Sequence, residues 1–174
     1  MINNKLNVFC SFFKILRLKI KYLSHVHFGK RNKILGACIF VSNKKGCLKI
    51  GDSFKSMKNS VIQSDGGVVE IGNNVFVNQN SVIVSRKMIR IGDNVCIGPN
   101  VCIYDHNHND ERVELCNDIQ IGEGSWIGAG VIVLQGVSIG KNAIIGAGTI
   151  ITKDVPDNSV VYQKRENVIK IRCY

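Results

Sequence analysis

Two histidines stand in a polar segment that interrupts an otherwise repetitive chain. His106 and His108 lie in the stretch YDHNHNDERVELCND, between Tyr104 and Ile119. The unperturbed pKa of histidine lies near neutrality, so its side chain can accept a proton and return it. These residue types indicate general-base chemistry, and two ordinary solvated loop histidines are the alternative. Composition alone favours that alternative, so the decision depends on the elements that position the segment.

The sequence on both sides of the segment repeats every six residues. Before it come IGNNVF, VNQNSV, IGDNVC and IGPNVC; after it come IGEGSW, IGAGVI, VLQGVS, IGKNAI, IGAGTI and ITKDVP. An aliphatic residue opens each hexad, and Gly, Asn or Asp supplies the tight turn. This period predicts a β-solenoid in which each hexad is one short strand and a turn. With three hexads in a coil, Ile121 should lie beneath Ile139, and Ile127 beneath Ile145.

The sixth position of several hexads is apolar, although it should face outward. Under the same register Trp126 stacks near Ile144, and Ile132 near Ile150. Exposed apolar columns usually mark a surface that a partner covers. A homotrimer would cover the same surface in every copy. We therefore predict a homotrimer, with scattered exposed apolar residues as the alternative.

The amino-terminal part of the chain is basic and less regular. Residues 5–24 carry apolar side chains at helical spacing among lysines and arginines, which predicts a basic amphipathic helix. This helix either caps the solenoid or lies on a membrane surface, and capping is favoured because an uncapped coil exposes its core. We expect a helix and cap over 1–33, a solenoid over 34–156 with its loop at 104–119, and a carboxy-terminal extension over 157–174.

The net charge of +10 and the seven cysteines exclude some classes of function. No nucleic-acid motif accompanies the basic residues, so a nucleic-acid partner is not expected. No Cys-x-x-Cys pair occurs, and the spacing of Cys96 and Cys102 follows from the repeat, so neither a metal nor a disulfide is predicted. Reduced cysteines and the absence of a signal-peptide pattern favour the cytoplasm, with the inner face of the membrane as a variant of that location.

From about residue 70 to 156 the chain resembles the hexapeptide-repeat acyltransferases, and within them the maltose/galactoside and polysaccharide O-acetyltransferase group. The hexads, the histidine-bearing loop and the stretch SWIGAGVIVLQGVSIGKNAIIGAGTIITKDVP carry this likeness. The resemblance implies an all-β fold, a left-handed parallel β-helix with a short amino-terminal helix and one projecting loop. It also implies transfer of acetyl from acetyl-CoA to a sugar hydroxyl of a surface polysaccharide or its precursor.

The resemblance assigns the catalytic groups residue by residue. The family's general base lies five residues beyond Ile103, which is His108, and His106 is the fallback. A backbone amide in the family's Trp-Ile-Gly-x turn binds the developing oxyanion, which here is the amide of Ala129. Direct attack within a ternary complex is expected. A covalent role for Cys116 is an alternative that nothing near it in sequence supports.

The resemblance also assigns the binding groups. Asn78 and Trp126 match acceptor-binding positions, and Arg86 stands where an acidic acceptor ligand is usual, which favours an anionic glycan over a neutral sugar. The CoA groove is expected to contain four further matched or basic residues besides Ala129. They are Ala147, Thr152, Lys153 and, in the divergent carboxy-terminal stretch, Lys170.

Three rival functions stay open from sequence alone. A metalloenzyme of the γ-class carbonic anhydrase type needs three histidines on neighbouring coils, whereas two of the four here lie near the amino-terminal helix. N-acetylation of an amino sugar is a nearer alternative. A non-enzymatic solenoid scaffold would retain the hexads, but it has no need of His108 and Trp126.

Overall fold

The computed structural model describes residues 2–42, 45–108 and 114–164, which form one helix followed by a stack of short strands. The helix α1 spans Ile2–Tyr22 and is followed by a 3-10 turn at Leu23–His25. Three parallel sheets then form the three sides of the solenoid, and a short antiparallel hairpin projects from it.

The strands of each side follow one another at intervals of one coil. Face A contains β1 (Val26–Phe28), β4 (Cys47–Ile50), β7 (Val68–Ile71), β10 (Met88–Ile91), β15 (Ile119–Ile121) and β18 (Ser138–Ile139). Face B contains β2 (Lys33–Ile34), β5 (Lys55–Ser56), β8 (Phe76–Val77), β11 (Cys96–Ile97), β16 (Trp126–Ile127), β19 (Ile144–Ile145) and β21 (Val160–Val161). Face C contains β3 (Cys38–Val41), β6 (Val61–Ser64), β9 (Val82–Ser85), β12 (Cys102–Tyr104), β17 (Ile132–Val133) and β20 (Ile150–Ile151). The hairpin consists of β13 (His106–His108) and β14 (Glu114–Cys116).

The register between coils is the one that the hexads predict. Ile121 pairs with Ile139, and Ile127 pairs with Ile145. The outward columns are confirmed as well, because Trp126 pairs with Ile144, and Ile132 is likewise beside Ile150. Alternate side chains of each strand point inward, and the inward aliphatic residues form one buried core along the solenoid. The fold is the predicted left-handed parallel β-helix, with about six turns.

The first coils begin earlier in the chain than the hexads indicate. The ladder starts at Val26, ahead of residue 34, where the solenoid was expected to begin. Leu48 pairs with Val26 and Val69 with Leu48, separations of 22 and 21 residues, against 18 between Ile121 and Ile139. These longer coils contain four-residue strands, which hides the six-residue period. At the other end β21 extends the ladder into the stretch that was predicted to be an extension.

The helix α1 lies across the amino-terminal end of the solenoid and contacts β1, β2 and β3. Ile15, Leu18 and Tyr22 pack against the core from this helix. The buried Ser11 hydroxyl accepts a hydrogen bond of 3.0 Å from the Ile34 amide, and Lys14 Nζ donates one of 3.4 Å to the Ile34 carbonyl. One side of α1 therefore covers the first coil.

Candidate active site

The hairpin leaves the solenoid at the edge between faces C and A, which we call the loop corner. Tyr104, Leu134 and Thr152 directly follow Ile103, Val133 and Ile151, which pair with one another on face C. A cavity of about 410 Å³ opens here beside the first strand of the hairpin. Its lining consists of Tyr104, His106, Asn107, Leu134, Gln135 and Thr152.

The side chain of His106 is held by two neighbours at the base of the hairpin. Its Nδ1 lies 3.2 Å from Oδ1 of Asp105, and its ring meets that of Tyr104 edge-on with centroids 5.8 Å apart. A carboxylate only accepts hydrogen bonds, so Nδ1 is the donor in this pairing. The side chain is only 14% exposed, which restricts how a substrate hydroxyl could approach it.

Asp105 fixes the point at which the hairpin leaves the solenoid. Its carboxylate is fully buried and accepts hydrogen bonds from the Ser85 hydroxyl at 2.6 Å and from the amides of Arg86 and Lys87 at 2.8 and 2.9 Å. These donors satisfy the buried charge, which would otherwise be costly. Sequence reasoning did not single out this residue, although an acid directly before His106 is visible in the stretch YDHNH.

His108 lies farther out along the hairpin than His106. In the antiparallel pairing of β13 and β14, His106 is opposite Cys116, and His108 is opposite Glu114. The backbone of His108 is therefore at the end of the described part of β13, and its side chain falls outside the described residues. The structure thus places both histidines on the projecting strand, with the side chain of His106 held at the base of the hairpin.

Arg86 also lies at the loop corner. Its amide bonds to Asp105, and its Nε lies 3.1 Å from Oδ2 of Asp65. Hydrogen bonds from the Ser42 hydroxyl and then from Arg86 hold the pKa of Asp65 below its ordinary value of 3.8, although burial acts in the opposite direction. The predicted acceptor-binding arginine is thus positioned by an acid one coil below it.

Replacing Arg86 by alanine is expected to lower the free energy of unfolding by about 0.5 kcal/mol at neutral pH, since the pair is partly exposed. A carboxylate with a lowered folded-state pKa stabilises the fold above its unfolded pKa, and this contribution disappears as pH falls through the folded pKa. The difference between variant and wild type should therefore shrink as pH falls below the ordinary carboxyl pKa of 3.8 and vanish once pH is below the folded-state pKa. Urea denaturation at a series of pH values measures it, and a difference that is constant down to acid pH would contradict the assignment.

The predicted oxyanion donor Ala129 and the predicted CoA-groove residue Ala147 lie at a different edge, between faces B and C, which we call the alanine corner. Ala129 and Ala147 occupy equivalent exposed positions on adjacent coils, because Ile127 pairs with Ile145. The Ala129 carbonyl accepts a 2.7 Å hydrogen bond from the Gly148 amide. Asn78 lies at the same edge two coils lower, where its Oδ1 accepts a 2.8 Å hydrogen bond from the Gln79 amide.

The remaining predicted residues are divided between these edges and the surface between them. Thr152 lines the cavity with His106, and Lys153 follows it as an exposed residue. Trp126 stands on face B with 54% of its surface exposed. Lys170 falls outside the described residues. The loop corner and the alanine corner of one chain are thus separated by the width of face C.

Faces B and C carry the outward apolar columns, whereas face A is charged. On face A, Glu70 pairs with Lys49 at 2.9 Å and with Arg90 at 3.3 Å. The outward apolar residues on the other two faces include Phe76, Val82, Trp126, Ile132, Ile144, Ile150 and Val160. The outward residues therefore make faces B and C suited to contact with a protein partner, and face A suited to contact with solvent.

The cavity at the loop corner suits a polar ligand that carries hydroxyl groups. Oε1 of Gln135 is buried and makes no hydrogen bond within the described part of the chain, which leaves it available to a ligand donor. Among residues 2–42, 45–108 and 114–164, no group of three or more His, Cys, Asp or Glu side chains is arranged to hold a metal ion.

Comparison with known families and proteins identifies transferases among the similar chains. Residues 118–153 match the family model described as bacterial transferase hexapeptide (six repeats). Nodulation protein L of Rhizobium meliloti is 46% identical over 53% of this chain and 54% of its own length. Galactoside O-acetyltransferase of Escherichia coli is 42% identical over 56% of this chain and 51% of its own length. The chain thus spans about half the length of these two curated relatives.

A third relative extends over most of both chains. The putative lipopolysaccharide biosynthesis O-acetyl transferase WbbJ of Escherichia coli is 28% identical over 92% of this chain and 88% of its own length.

Solved structures with the same fold contain the expected co-substrate. PerB from Caulobacter crescentus, in complex with CoA and GDP-perosamine, superimposes with a TM-score of 0.60 at 23% identity, over 76% of this chain and 54% of that chain. The hexapeptide-repeat acetyltransferase VCA0836 from Vibrio cholerae, in complex with acetyl-CoA, superimposes with a TM-score of 0.57 at 24% identity, over 87% and 81%. At this level of identity these likenesses show a common fold.

Proposed function

We propose that this protein is an acetyltransferase that moves acetyl from acetyl-CoA to a sugar hydroxyl of a surface polysaccharide or its precursor. The observation that carries the proposal is the histidine-bearing hairpin, which stands beside the loop-corner cavity on a rigid solenoid. Loops held on rigid scaffolds are favoured places for function. The likeness to galactoside and lipopolysaccharide O-acetyltransferases supports the reaction class.

His108 acts as the general base in this proposal. Its imidazole removes the proton of the acceptor hydroxyl as the oxygen attacks the thioester carbonyl carbon. The carbonyl oxygen gains negative charge, which the amide of Ala129 stabilises. The carbon–sulfur bond then breaks, and the thiolate of CoA takes the proton from the imidazolium. A positioned base of this kind accelerates the reaction by about 10²–10⁴-fold.

His106 positions the hairpin rather than exchanging the proton. Its side chain is largely buried and is tied to Asp105, which in turn is bonded to Ser85 and to two amides of the preceding coil. This chain of contacts connects the base of the hairpin to the solenoid. These contacts hold the first residue of β13 in place, and from this position the strand carries His108 to the acceptor.

A homotrimer completes the proposed site. The loop corner with its histidines and the alanine corner with its amides lie at different edges of one chain, so a neighbouring protomer must supply one of them. The apolar columns on faces B and C support such an assembly, since a closed ring of three copies buries one apolar face of each copy against the other apolar face of the next. Arg86 and Lys153 then supply positive charge for an anionic glycan and for the phosphates of CoA, with Lys170 as a further phosphate ligand. We place the reaction in the cytoplasm.

N-acetylation of an amino sugar is the second candidate. The specific observation in its favour is the fold shared with the perosamine N-acetyltransferase of Caulobacter crescentus. An amine in place of the hydroxyl would attack the same thioester from the same cavity. The two candidates therefore differ in the acceptor atom and share the CoA groove.

Calorimetry with acetyl-CoA, followed by mass spectrometry of acceptors, tests the proposal. We expect acetyl-CoA to bind, and we expect acetyl to appear on the hydroxyl of a galactoside or of a uronic-acid glycoside when both are offered with an amino sugar. Transfer to the amine alone would select the second candidate. Failure to bind acetyl-CoA would exclude both candidates and favour a scaffold.

A further inference from the structure

The helix α1 has a second apolar side, which points away from the solenoid. Its first side contains Ser11, Ile15, Leu18 and Tyr22 and covers the first coil. Residues three or four apart share one side of a helix, and a second series with this spacing is highly exposed. It consists of Phe12, Phe13, Leu16 and Ile20, together with Leu23 of the 3-10 turn that follows α1, which are 60%, 53%, 42%, 67% and 76% exposed and are called here the basal stripe.

Capping does not account for the basal stripe. The other side of α1 already covers the core, and the stripe residues have large exposed surfaces in spite of being bulky and apolar. Contiguous exposed apolar surface on a protein usually marks a site of interaction. The stripe therefore needs an occupant outside the described chain.

The charge around the stripe indicates the chemistry of that occupant. Residues 1–51 contain eleven Lys or Arg residues and no Asp or Glu. On α1, Lys19 borders one edge of the stripe, and Arg17 and Lys21 border the other. A groove of about 420 Å³ between the helix and the first coil adds further positive charge at this end. Its lining consists of Phe12, Ile15, Leu16, Lys19, Gly29, Lys30, Arg31 and Asn32.

A second copy of the same surface fits this pattern poorly. Bringing two such stripes together would place arginines and lysines of one copy against those of the other, which is unfavourable. An anionic lipid surface satisfies both observations, because its acyl boundary takes up the apolar residues and its headgroups pair with the basic ones. Within the described residues no helix has the length and apolar character needed to cross a bilayer, so α1 would lie in the plane of the surface.

We propose that α1 docks this protein on anionic membranes through the basal stripe and its flanking basic residues, while its opposite side caps the solenoid. This inference does not depend on the proposed enzymatic activity. It resolves the two roles considered for the helix by assigning one to each side.

Vesicle flotation with the full chain tests the proposal. We expect binding to vesicles of phosphatidylcholine mixed with phosphatidylglycerol, much weaker binding to phosphatidylcholine alone, and a decrease with added salt. The double substitution Arg17→Gln/Lys19→Gln should weaken binding about 25-fold, at about five-fold for each basic residue. Leu16→Ser/Ile20→Ser should weaken it at least about ten-fold, because the stripe then no longer enters the acyl boundary.

Matched controls separate docking from folding and from general charge. Lys141→Gln/Lys164→Gln removes the same charge from exposed positions on the last coils, and vesicle binding should change by less than about two-fold. All four altered positions on α1 are exposed, so circular dichroism should be unchanged. Equal binding to both kinds of vesicle, or no binding to either, would overturn the proposal. Self-association that Leu16→Ser/Ile20→Ser abolishes, without vesicle binding, would instead assign the stripe to a second copy.

Discussion

His108→Ala is expected to lower kcat by about 10²–10⁴-fold while acetyl-CoA binds as it does to the wild type. The residue lies on β13, opposite Glu114 and two positions beyond His106, which contacts Asp105. A hydroxyl without a base is a poor nucleophile at neutral pH, and the lost rate reports the missing proton acceptor. Single-turnover acetyl transfer together with calorimetry separates this loss from a loss of binding.

Two matched histidine variants make the result specific. His27→Ala removes an exposed histidine whose Nε2 lies 2.8 Å from the Ser24 carbonyl at the far end of the chain, and it should leave kcat within about two-fold of wild type. His106→Ala should have an intermediate effect, together with a lower thermal midpoint, because it loosens the hairpin. If His106→Ala abolished transfer and His108→Ala did not, the base would be His106.

Gly128→Ala is expected to lower the free energy of unfolding by about 3 kcal/mol, which is the upper end of the usual cost of overpacking a core. We also expect it to abolish measurable acetyl-CoA binding. A Cβ at this position would lie 2.6 Å from the Ile145 carbonyl oxygen and 2.8 Å from the Ala147 amide nitrogen. Both are backbone atoms of the next coil and cannot rotate away. The coils would separate at the alanine corner, and the amide of Ala129 would move. Urea denaturation and calorimetry measure the two effects.

Gly130→Asn is the matched control for that substitution. Gly130 has a φ of +66°, and its added Cβ would meet nothing closer than 4.0 Å. Asn80 and Asn100 occupy the equivalent turn position on lower coils, with φ of 59° and 58°. Asparagine adopts this left-handed conformation more readily than most residues. Stability should therefore change by less than about 1 kcal/mol, and a large loss would show that the corner tolerates no side chain at all.

The hexads predicted the strand register of the coils after about residue 70, because each side chain in those coils has one role. An inward aliphatic residue, a turn residue and an outward residue recur at fixed positions, so the pairing of Ile121 with Ile139 follows from counting. The first coils are longer, and their strands vary in length, so counting by sixes fails before about residue 70. Pairing of Val26 with Leu48 becomes visible only when the chain is folded.

The sequence proposes the candidate site as a set of residues but not as an arrangement. A motif orders Asn78, His108, Ala129 and Thr152 along the chain, yet it does not say which edge of a three-sided solenoid each one occupies. The separation of the loop corner from the alanine corner depends on where each coil turns. Asp105 was missed for a related reason. Its role depends on donors from Ser85 and two neighbouring amides, which lie about one coil away in sequence.

The contacts of α1 with β2 also determine how the stack of strands ends. The first coil of a parallel solenoid presents backbone N–H and C=O groups that could pair with the last coil of another molecule, as an exposed sheet edge does. Both groups of Ile34 that point away from β5 are occupied, the amide by Ser11 and the carbonyl by Lys14. Side chains of α1 thus take the positions that an incoming strand would need. The helix therefore obstructs head-to-tail pairing of another solenoid with β2.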